Sequence, residues 1–240
     1  MLVCYLLLMV LAMSGYRFCV ARKVHERRVV FKMRWQVYRH AGYINETTHP
    51  ERVLRDAYES HSMSFLAYYK GKPAGTLRLT RLDKGSPIQS LFNINVSLPH
   101  EKTAELGRFA VLPEFRTQGR WVTMGLTIMM YLASLRQDVR WWVGYTPEGL
   151  LRSFSQVFDA RAIPQLQPEP RHLSARKSMP GYFQRFDNCI VCFMAPVSSA
   201  NPTGWLKRLI LIPSEQIREI VLKCVRSILR AGPSAPDPGK

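Results

Sequence analysis

The chain has 240 residues, enough for one substantial hydrophobic core, and its hydrophobic fraction of 47% excludes a wholly disordered protein. Its 34 lysines and arginines against 17 acidic residues give a formal net charge of +17, which indicates an anionic partner. Nucleic acid, anionic lipid and an acidic protein are the candidate partners, and solvated surface arginines are the alternative.

The first segment of the chain is an uncharged apolar run over residues 2–13, which is too short to span a bilayer. A cryptic signal, a membrane-docking helix and a start codon placed too far upstream are the three interpretations, of which we prefer the last two. The cysteines are odd in number and have no framework spacing, so we interpret them as free thiols of a reducing cytoplasm. They are Cys4, Cys19, Cys189, Cys192 and Cys224.

The elements that follow predict a mixed α/β sheet. A strand over 16–22 precedes a helix over 24–40, whose apolar residues fall on one face and which Gly42 closes. A short helix is predicted over 51–58, and two strands over 65–69 and 74–82 are joined by a turn. On the second of these strands Arg78 lies on the less apolar face, where a solvated side chain is the usual interpretation.

A connection over 83–100 leads to the second half of the predicted sheet. The remaining elements are a strand over 104–112, a buried helix over 121–135, a strand over 139–145, a helix from 148, a loop over 161–180 and a closing strand over 182–194. Five apolar residues are of the type that lines an acyl tunnel, although packing in the core is the preferred interpretation for each of them. They are Trp35, Phe92, Met124, Ile128 and Trp142.

The chain changes character after residue 195. We divide it into an apolar N-terminal segment (1–15), the α/β domain (16–195), a linker (196–204), an amphipathic helical tail (205–230) and a disordered end (231–240). Three interpretations of the tail helix stay open: it packs on the domain, it docks on a partner, or it lies on an anionic membrane.

The strand over 104–112 carries an acid and a base three residues apart. In a regular strand Glu105 and Arg108 point to opposite faces, so they act together only if the strand contains an extra residue. Gly107 between them indicates such a bulge, which would leave backbone N–H groups free to hold an oxyanion. A surface ion pair is the alternative interpretation.

The strand leads into a turn that resembles an anion-binding loop. Val111, Pro113, Arg116 and Gly119 have the spacing of the pyrophosphate loop of the GNAT acyltransferase superfamily, in which Gly or Ala usually follows at the position of Trp121. That departure suits a donor with a single phosphate. The loop and the next helix N-terminus would direct backbone N–H groups at one phosphate.

Further segments narrow the resemblance to two branches of that superfamily. Phe31-x-x-Arg34-x-x-Val37-Tyr38 is similar to a helix of the long-chain N-acyl amino acid synthases and of the acyl-homoserine-lactone synthases. Segments around Asp56, Arg78 and Glu105 follow along the chain in the same order as in those two branches. Autoinducer synthases usually have Asp at the position of Glu59 and Ser at that of Gly107, so the N-acyl amino acid branch is favoured.

The resemblance implies a GNAT-like, mainly antiparallel sheet flanked by helices, and an N-acyltransferase. It implies a donor thioester on the phosphopantetheine of acyl carrier protein or on CoA, an amino acid as acceptor, and neither a bound cofactor nor a metal. Acyl carrier protein is the expected protein partner, and no nucleic acid is expected to bind. The protein is expected in the cytoplasm, where peripheral contact with a membrane is an option. The implied site residues are Glu105, Arg108 and Arg78 for catalysis, Phe109, Ala110, Val111, Arg116, Thr117, Gln118, Gly119 and Arg120 for the donor, and Arg34, Asp56 and Glu59 for the acceptor.

Three other functions stay open at this point. The first is an acyl-homoserine-lactone synthase that uses S-adenosylmethionine. The second is an acetyl-CoA-dependent N-acetyltransferase. The third is a basic binding protein without catalysis, which uses its charge on nucleic acid or lipid.

Overall fold

A computed structural model describes residues 1–44, 46–47, 49–92, 97–155, 158–163 and 190–200. The predicted linker beyond 200, the tail helix, the disordered end, most of the loop over 161–180, Cys189 and Cys224 lie outside these residues. The three cysteines within them, Cys4, Cys19 and Cys192, are free thiols, as predicted.

One seven-stranded sheet forms the centre of the described structure, with the strand order β1-β2-β3-β4-β5-β7-β6. Neighbouring strands are antiparallel except β4 and β5, which are parallel. This is the mainly antiparallel GNAT-like sheet that the resemblance implies. The strands are β1 (Tyr16–Val20), β2 (Ser62–Tyr69), β3 (Lys72–Arg81), β4 (Thr103–Val111), β5 (Trp141–Pro147), β6 (Arg161–Ala162) and β7 (Ile190–Pro196).

Helices pack against both faces of this sheet. The predicted helix over 24–40 is confirmed with the same bounds: Glu26 accepts hydrogen bonds from the backbone N–H groups of Arg22 and Lys23 at its start, and Gly42 follows its end with φ 72°. The helices are α1 (Leu2–Met13), α2 (Val24–His40), α3 (Pro87–Leu91), α4 (Gly119–Arg136) and α5 (Glu148–Ser155).

One local prediction was wrong. The short helix predicted over 51–58 is a 3-10 turn at Ala57–Ser60, because the Asp56 side chain accepts a hydrogen bond from Tyr58 N and begins the turn there. The predicted connection over 83–100 lies between β3 and β4 and contains α3, which has proline at its first position.

Helix α4 is the buried helix of the fold, as its apolar sequence predicts. It packs on β1, β2 and β3 and is covered in turn by α1. A side chain at Gly125 would place its Cβ atom 2.0 Å from the ring of Phe18, and one at Gly75 would lie 2.4 Å from Val122. These two glycines therefore allow α4 to approach the sheet closely.

The apolar N-terminal run forms α1. Cys4, Leu7, Val10 and Leu11 are buried, whereas its other side, with Leu2, Tyr5, Met9 and Met13, is exposed. Within the described residues, no helix has both the length and the apolar character required to cross a membrane.

Candidate active site

Strands β4 and β5 separate in the middle of the sheet. They pair only over Thr103–Glu105 and Trp141–Val143. Among the residues that the structure describes, no strand pairs with the β5-facing edge of β4 beyond Glu105. A cavity of about 570 Å³ opens there, and residues 106–111 of β4 and Tyr145 and Thr146 of β5 line it.

The cavity has a mixed lining. Tyr38, Arg108 and Tyr145 contribute polar groups. The apolar part of the lining comes from β3, α4, α5, β7 and the segment after α5, through Leu77, Met130, Phe154, Phe193 and Phe158. This combination suits a molecule with a polar reacting group and an apolar chain.

The five candidate tunnel residues pack in the core, which is the interpretation preferred for each of them from the sequence. None of Trp35, Phe92, Met124, Ile128 and Trp142 lines the cavity. Ile128 and Trp142 are fully buried in the main core, and Met124 packs against it. Trp35 and Phe92 belong to two smaller clusters. Apolar character predicts burial, but it does not distinguish side chains that border a gap from those that fill the core.

The predicted bulge is present, one residue beyond Gly107. Arg78 is opposite Gly107 and Thr76 is opposite Ala110, so a single residue of β3 faces both Arg108 and Phe109 of β4. Arg108 has φ 54°, a left-handed conformation that is rare for residues other than glycine and costs about 1 kcal/mol. The irregular backbone brings Arg108 to the cavity.

Glu105 lies buried beneath the cavity, at the last paired position of β4. Its Oε2 atom accepts a hydrogen bond of 2.7 Å from the backbone N–H of Ile88 in α3, whereas its Oε1 atom is buried and has no hydrogen-bond partner. Burial raises the pKa of Glu105 to about 7, although the Ile88 N–H and Arg78 oppose this shift. A carboxyl with a pKa near neutrality suits a general base.

Asp56 and Glu59 hold three arginines from three different elements. Arg78 Nη1 donates to Asp56 Oδ1 and to Glu59 Oε1, both at 2.7 Å. Arg34 Nη1 donates to Glu59 Oε1 at 2.5 Å, and Arg108 Nη2 donates to Asp56 Oδ2 at 2.7 Å. We call these five side chains the arginine network.

Burial and charge define what the network can do. Arg34 and Arg78 are 0% and 1% exposed, so the interpretation of Arg78 as a solvated side chain was wrong. Of the three arginines in the network, only Arg108 lines the cavity. Burial acts to raise the pKa of Asp56, but Arg108 and Arg78 outweigh it and lower that pKa to about 2. Burial lowers the pKa of Arg34 to about 10, which leaves it charged at neutral pH. Three cations thus face two anions, and the surplus positive charge favours a carboxylate nearby.

The predicted donor residues lie along the cavity and its adjoining loop. Phe109, Ala110 and Val111 line the cavity with Arg116. Pro113–Gln118 forms a 3-10 turn, and α4 starts at Gly119. Thr117 and Arg120 are exposed, with the Arg120 guanidinium 5.0 Å from the centre of the Trp121 ring, and the Gln118 side chain is outside the description. Binding of a phosphate by this loop stays a prediction.

Sequence reasoning missed two groups of the site. Tyr145 lines the cavity just beyond the last residue of β5 that pairs with β4, and burial followed by Glu105 raises its pKa, so its hydroxyl stays protonated. Its place at the end of a predicted strand was the available signal. The Ile88 N–H donor could not be found in this way, because every residue except proline has one.

The pKa of Glu105 predicts a pH dependence of stability. Because folding raises this pKa from 4.5 to about 7, the stabilising contribution of Glu105 is complete below about pH 4.5 and is lost as the pH rises through 7. The free energy of unfolding of Glu105→Gln minus that of wild type should therefore increase by about 2 to 4 kcal/mol from pH 5 to pH 8. Urea unfolding at pH 5, 6.5 and 8 measures this difference, and a difference that is independent of pH would contradict it.

The fold and this site define an acyltransferase of the GNAT class. The family model described as N-acyl amino acid synthase FeeM matches residues 29–176. The chain belongs to this family. The comparison with curated protein sequences finds no match.

Several solved structures share this fold. The structure of FeeM, an N-acyl amino acid synthase from uncultured soil microbes, is 14% identical with a TM-score of 0.55 and covers 76% of this chain and 91% of that one. BjaI, a CoA-dependent acyl-homoserine lactone synthase solved with SAM and isopentyl-CoA, is 15% identical with a TM-score of 0.56 over 87% of this chain and 99% of that one. The acyl-homoserine lactone synthase LasI is 15% identical with a TM-score of 0.54, over 77% of this chain and 91% of that one. At these identities the likeness establishes the fold alone.

Proposed function

We propose that the chain moves a long-chain acyl group from a phosphopantetheine thioester, carried by acyl carrier protein, to the amine of an amino acid. One observation carries this proposal: β4 and β5 separate directly beyond the buried Glu105, and the cavity between them combines polar groups with apolar side chains. The family assignment supports the same reaction class.

The donor is proposed to enter between the separated strands. An extended pantetheine arm would hydrogen-bond to the edge of β4 that β5 leaves free, as an added strand does. Its phosphate would meet the turn at Pro113–Gln118 and the start of α4. The acyl chain would lie against Leu77, Met130 and the phenylalanines of the lining.

The acceptor is proposed to place its carboxylate near Arg108 and its amine near Glu105. Arg108 is the arginine of the network that lines the cavity, and guanidinium groups bind carboxylates in bidentate geometry. Arg34, Asp56 and Glu59, predicted as acceptor-binding residues, would act by fixing Arg78 and Arg108 in place.

The reaction needs no covalent acyl-enzyme. The neutral amine attacks the thioester carbon, Glu105 accepts an amine proton, the C–N bond forms and the C–S bond breaks. The departing thiolate takes a proton from the Tyr145 hydroxyl, and Glu105 returns the proton to Tyr145. Backbone N–H groups at 109–111 are proposed to stabilise the oxyanion.

The carrier protein is favoured as donor by charge. A net charge of +17 attracts an acidic carrier protein over distances up to about a Debye length. The reaction would then take place in the cytoplasm, with the exposed side of α1 available for peripheral contact with a membrane.

Mass spectrometry of the products tests the proposal. The purified chain is incubated with acyl carrier protein thioesters of graded chain length and a mixture of amino acids, and in parallel with the matching CoA thioesters. Long-chain N-acyl amino acids formed faster from the carrier protein support it. A lactone formed only with S-adenosylmethionine, or transfer of acetyl groups alone, would reject it in favour of the corresponding alternative.

The cavity lining predicts a change in acyl-chain preference. Met130 lines the cavity from α4, so Met130→Ala enlarges the apolar part and should shift the preferred donor towards longer acyl chains. Leu126→Ala is the matched control, since Leu126 is a buried residue of α4 that does not line the cavity. Both variants should lose about 2 to 5 kcal/mol of stability. Equal chain-length profiles for the two variants would contradict the assignment.

A further inference from the structure

A groove of about 660 Å³ lies at the end of the sheet where β2 turns into β3 and where β4 ends. Helix α2 forms one of its walls, the turn between β2 and β3 forms another, and the residues that follow β4 form the third. The groove and the acyl cavity have no lining residue in common. The chemistry proposed for the cavity therefore leaves this groove without a role.

The rim of the groove is basic. Lys32 on α2 and Lys70 and Lys72 at the turn between β2 and β3 are exposed, and Glu114 is the only acid among the described residues that line the groove. Within the described part of the chain, none of these three lysines forms an ion pair. Three cations without a counter-ion around one groove favour an anionic occupant.

The lining between the lysines is mainly apolar, with side chains from all three walls. They are Val29, Met33, Pro73, Leu112 and Phe115. An apolar floor under a basic rim matches an acidic amphipathic helix, whose apolar face lies in the groove and whose carboxylates meet the rim. The phosphate backbone of a nucleic acid has no apolar face for such a floor, and the flat surface of a bilayer does not enter a groove.

The groove adjoins the proposed entrance for the acyl donor. Val111 lines the acyl cavity and the next residue, Leu112, lines the groove; in the same way Phe115 lines the groove and Arg116 the cavity. The turn at Pro113–Gln118, where the donor phosphate is proposed to bind, thus separates the two spaces. A protein in the groove would lie beside the entrance for the arm that it carries.

We propose that this groove is the docking surface for an acidic helix of acyl carrier protein. Carboxylates of that helix pair with Lys32 and Lys72, and its apolar side chains pack against Met33 and Phe115. This inference rests on the proposed function and names the surface on which its partner binds. It differs from attraction by the net charge because the place of each lysine matters, and not only the sum of the charges.

Charge reversal at the groove tests this docking surface. Lys32→Glu and Lys72→Glu should each raise the KM for the acyl carrier protein thioester about 10-fold or more, because each change replaces attraction of a partner carboxylate by repulsion. Both side chains are exposed, so both variants should fold. With a pantetheine thioester of the same acyl chain, their kcat and KM should equal those of wild type, since that donor has no protein to dock.

Lys84→Glu is the matched control. It makes the same change in net charge, and Lys84 is exposed in the 3-10 turn that follows β3, at the opposite end of that strand from Lys72. Its KM should equal that of wild type with both donors. A CoA thioester serves as a third donor, and its KM should not change in the groove variants either.

Binding of fluorescently labelled holo-acyl carrier protein measures docking without catalysis. Wild type and Lys84→Glu should have the same Kd at low salt, and the Kd of each groove variant should be about 10-fold higher. Added salt should reduce this difference, because the lysines on the rim are exposed and their charges are screened. A short DNA duplex that displaces the carrier protein from wild type, but not from Lys32→Glu, would assign the groove to nucleic acid instead.

The outcomes separate this inference from the function on which it rests. Equal KM and Kd values for the groove variants and Lys84→Glu overturn the docking surface alone. A KM that rises as much with the CoA thioester or the pantetheine thioester as with the carrier protein also overturns it, because the lysines would then act on the donor itself. If the groove variants lose binding of the carrier protein while wild type transfers no acyl group from any thioester, the docking surface stands and the proposed function falls.

Discussion

Glu105→Gln should reduce kcat by about 10²- to 10⁴-fold, the range that a positioned general base contributes. Glutamine keeps the size of the side chain and its amide oxygen can still accept the Ile88 N–H bond, but it cannot take a proton from the amine. The KM for the acyl donor should change little, since Glu105 is buried and does not line the cavity that would hold the donor.

The pH dependence sharpens this prediction. Wild-type kcat should fall as the pH drops below about 7, the pKa to which burial raises Glu105, and Glu105→Gln should lose this limb. Glu101→Gln serves as the control, because Glu101 is an exposed acid shortly before β4. Turnover of Glu105→Gln at the level of Glu101→Gln, with the acidic limb intact, would show that another group accepts the proton.

The sequence predicted the elements of this fold better than the side chains that meet in its site. Helix α2 follows from apolar spacing, with its end at Gly42, and the bulge near Gly107 follows from glycine within a strand. Both are local patterns. The arginine network joins residues that lie 19 to 52 positions apart, so its pairing depends on how β3, β4 and α2 come together. No periodicity encodes that arrangement.

Apolar character in the sequence also does not identify the residues that line the cavity. Its apolar lining and the five candidate tunnel residues have the same chemical character. Met130 and Ile128 are both buried residues of α4, but Met130 lies on the helix face of Thr123 and Thr127, which also line the cavity, whereas Ile128 lies about 200° away around the helix axis. Which helix face would border the gap depends on where β4 and β5 separate, and that arrangement is not a property of any one segment.

Arg78→Met should lower the free energy of unfolding by about 3 to 5 kcal/mol, because it removes one partner from a buried ionic cluster. Arg78 Nη1 is the donor shared by Asp56 and Glu59, and the side chain is 1% exposed. Methionine has a similar volume, so the loss reports on charge rather than on a cavity. Arg161→Met, which breaks an ion pair at the surface with Asp159, should cause no measurable loss.

A double-mutant cycle shows whether the charges act together. Without Arg78, Asp56 keeps only one of its two contacts with the arginines of the network, the one with Arg108, so Asp56→Asn should destabilise the Arg78→Met variant less than it destabilises wild type. Chemical denaturation of the four proteins at pH 7 gives the coupling energy. If the two substitutions are additive, or if Arg78→Met costs no more than Arg161→Met, the arginine network does not hold β3 and β4 to the Asp56 turn. The position of Arg108 at the cavity would then depend on the bulge of β4 alone.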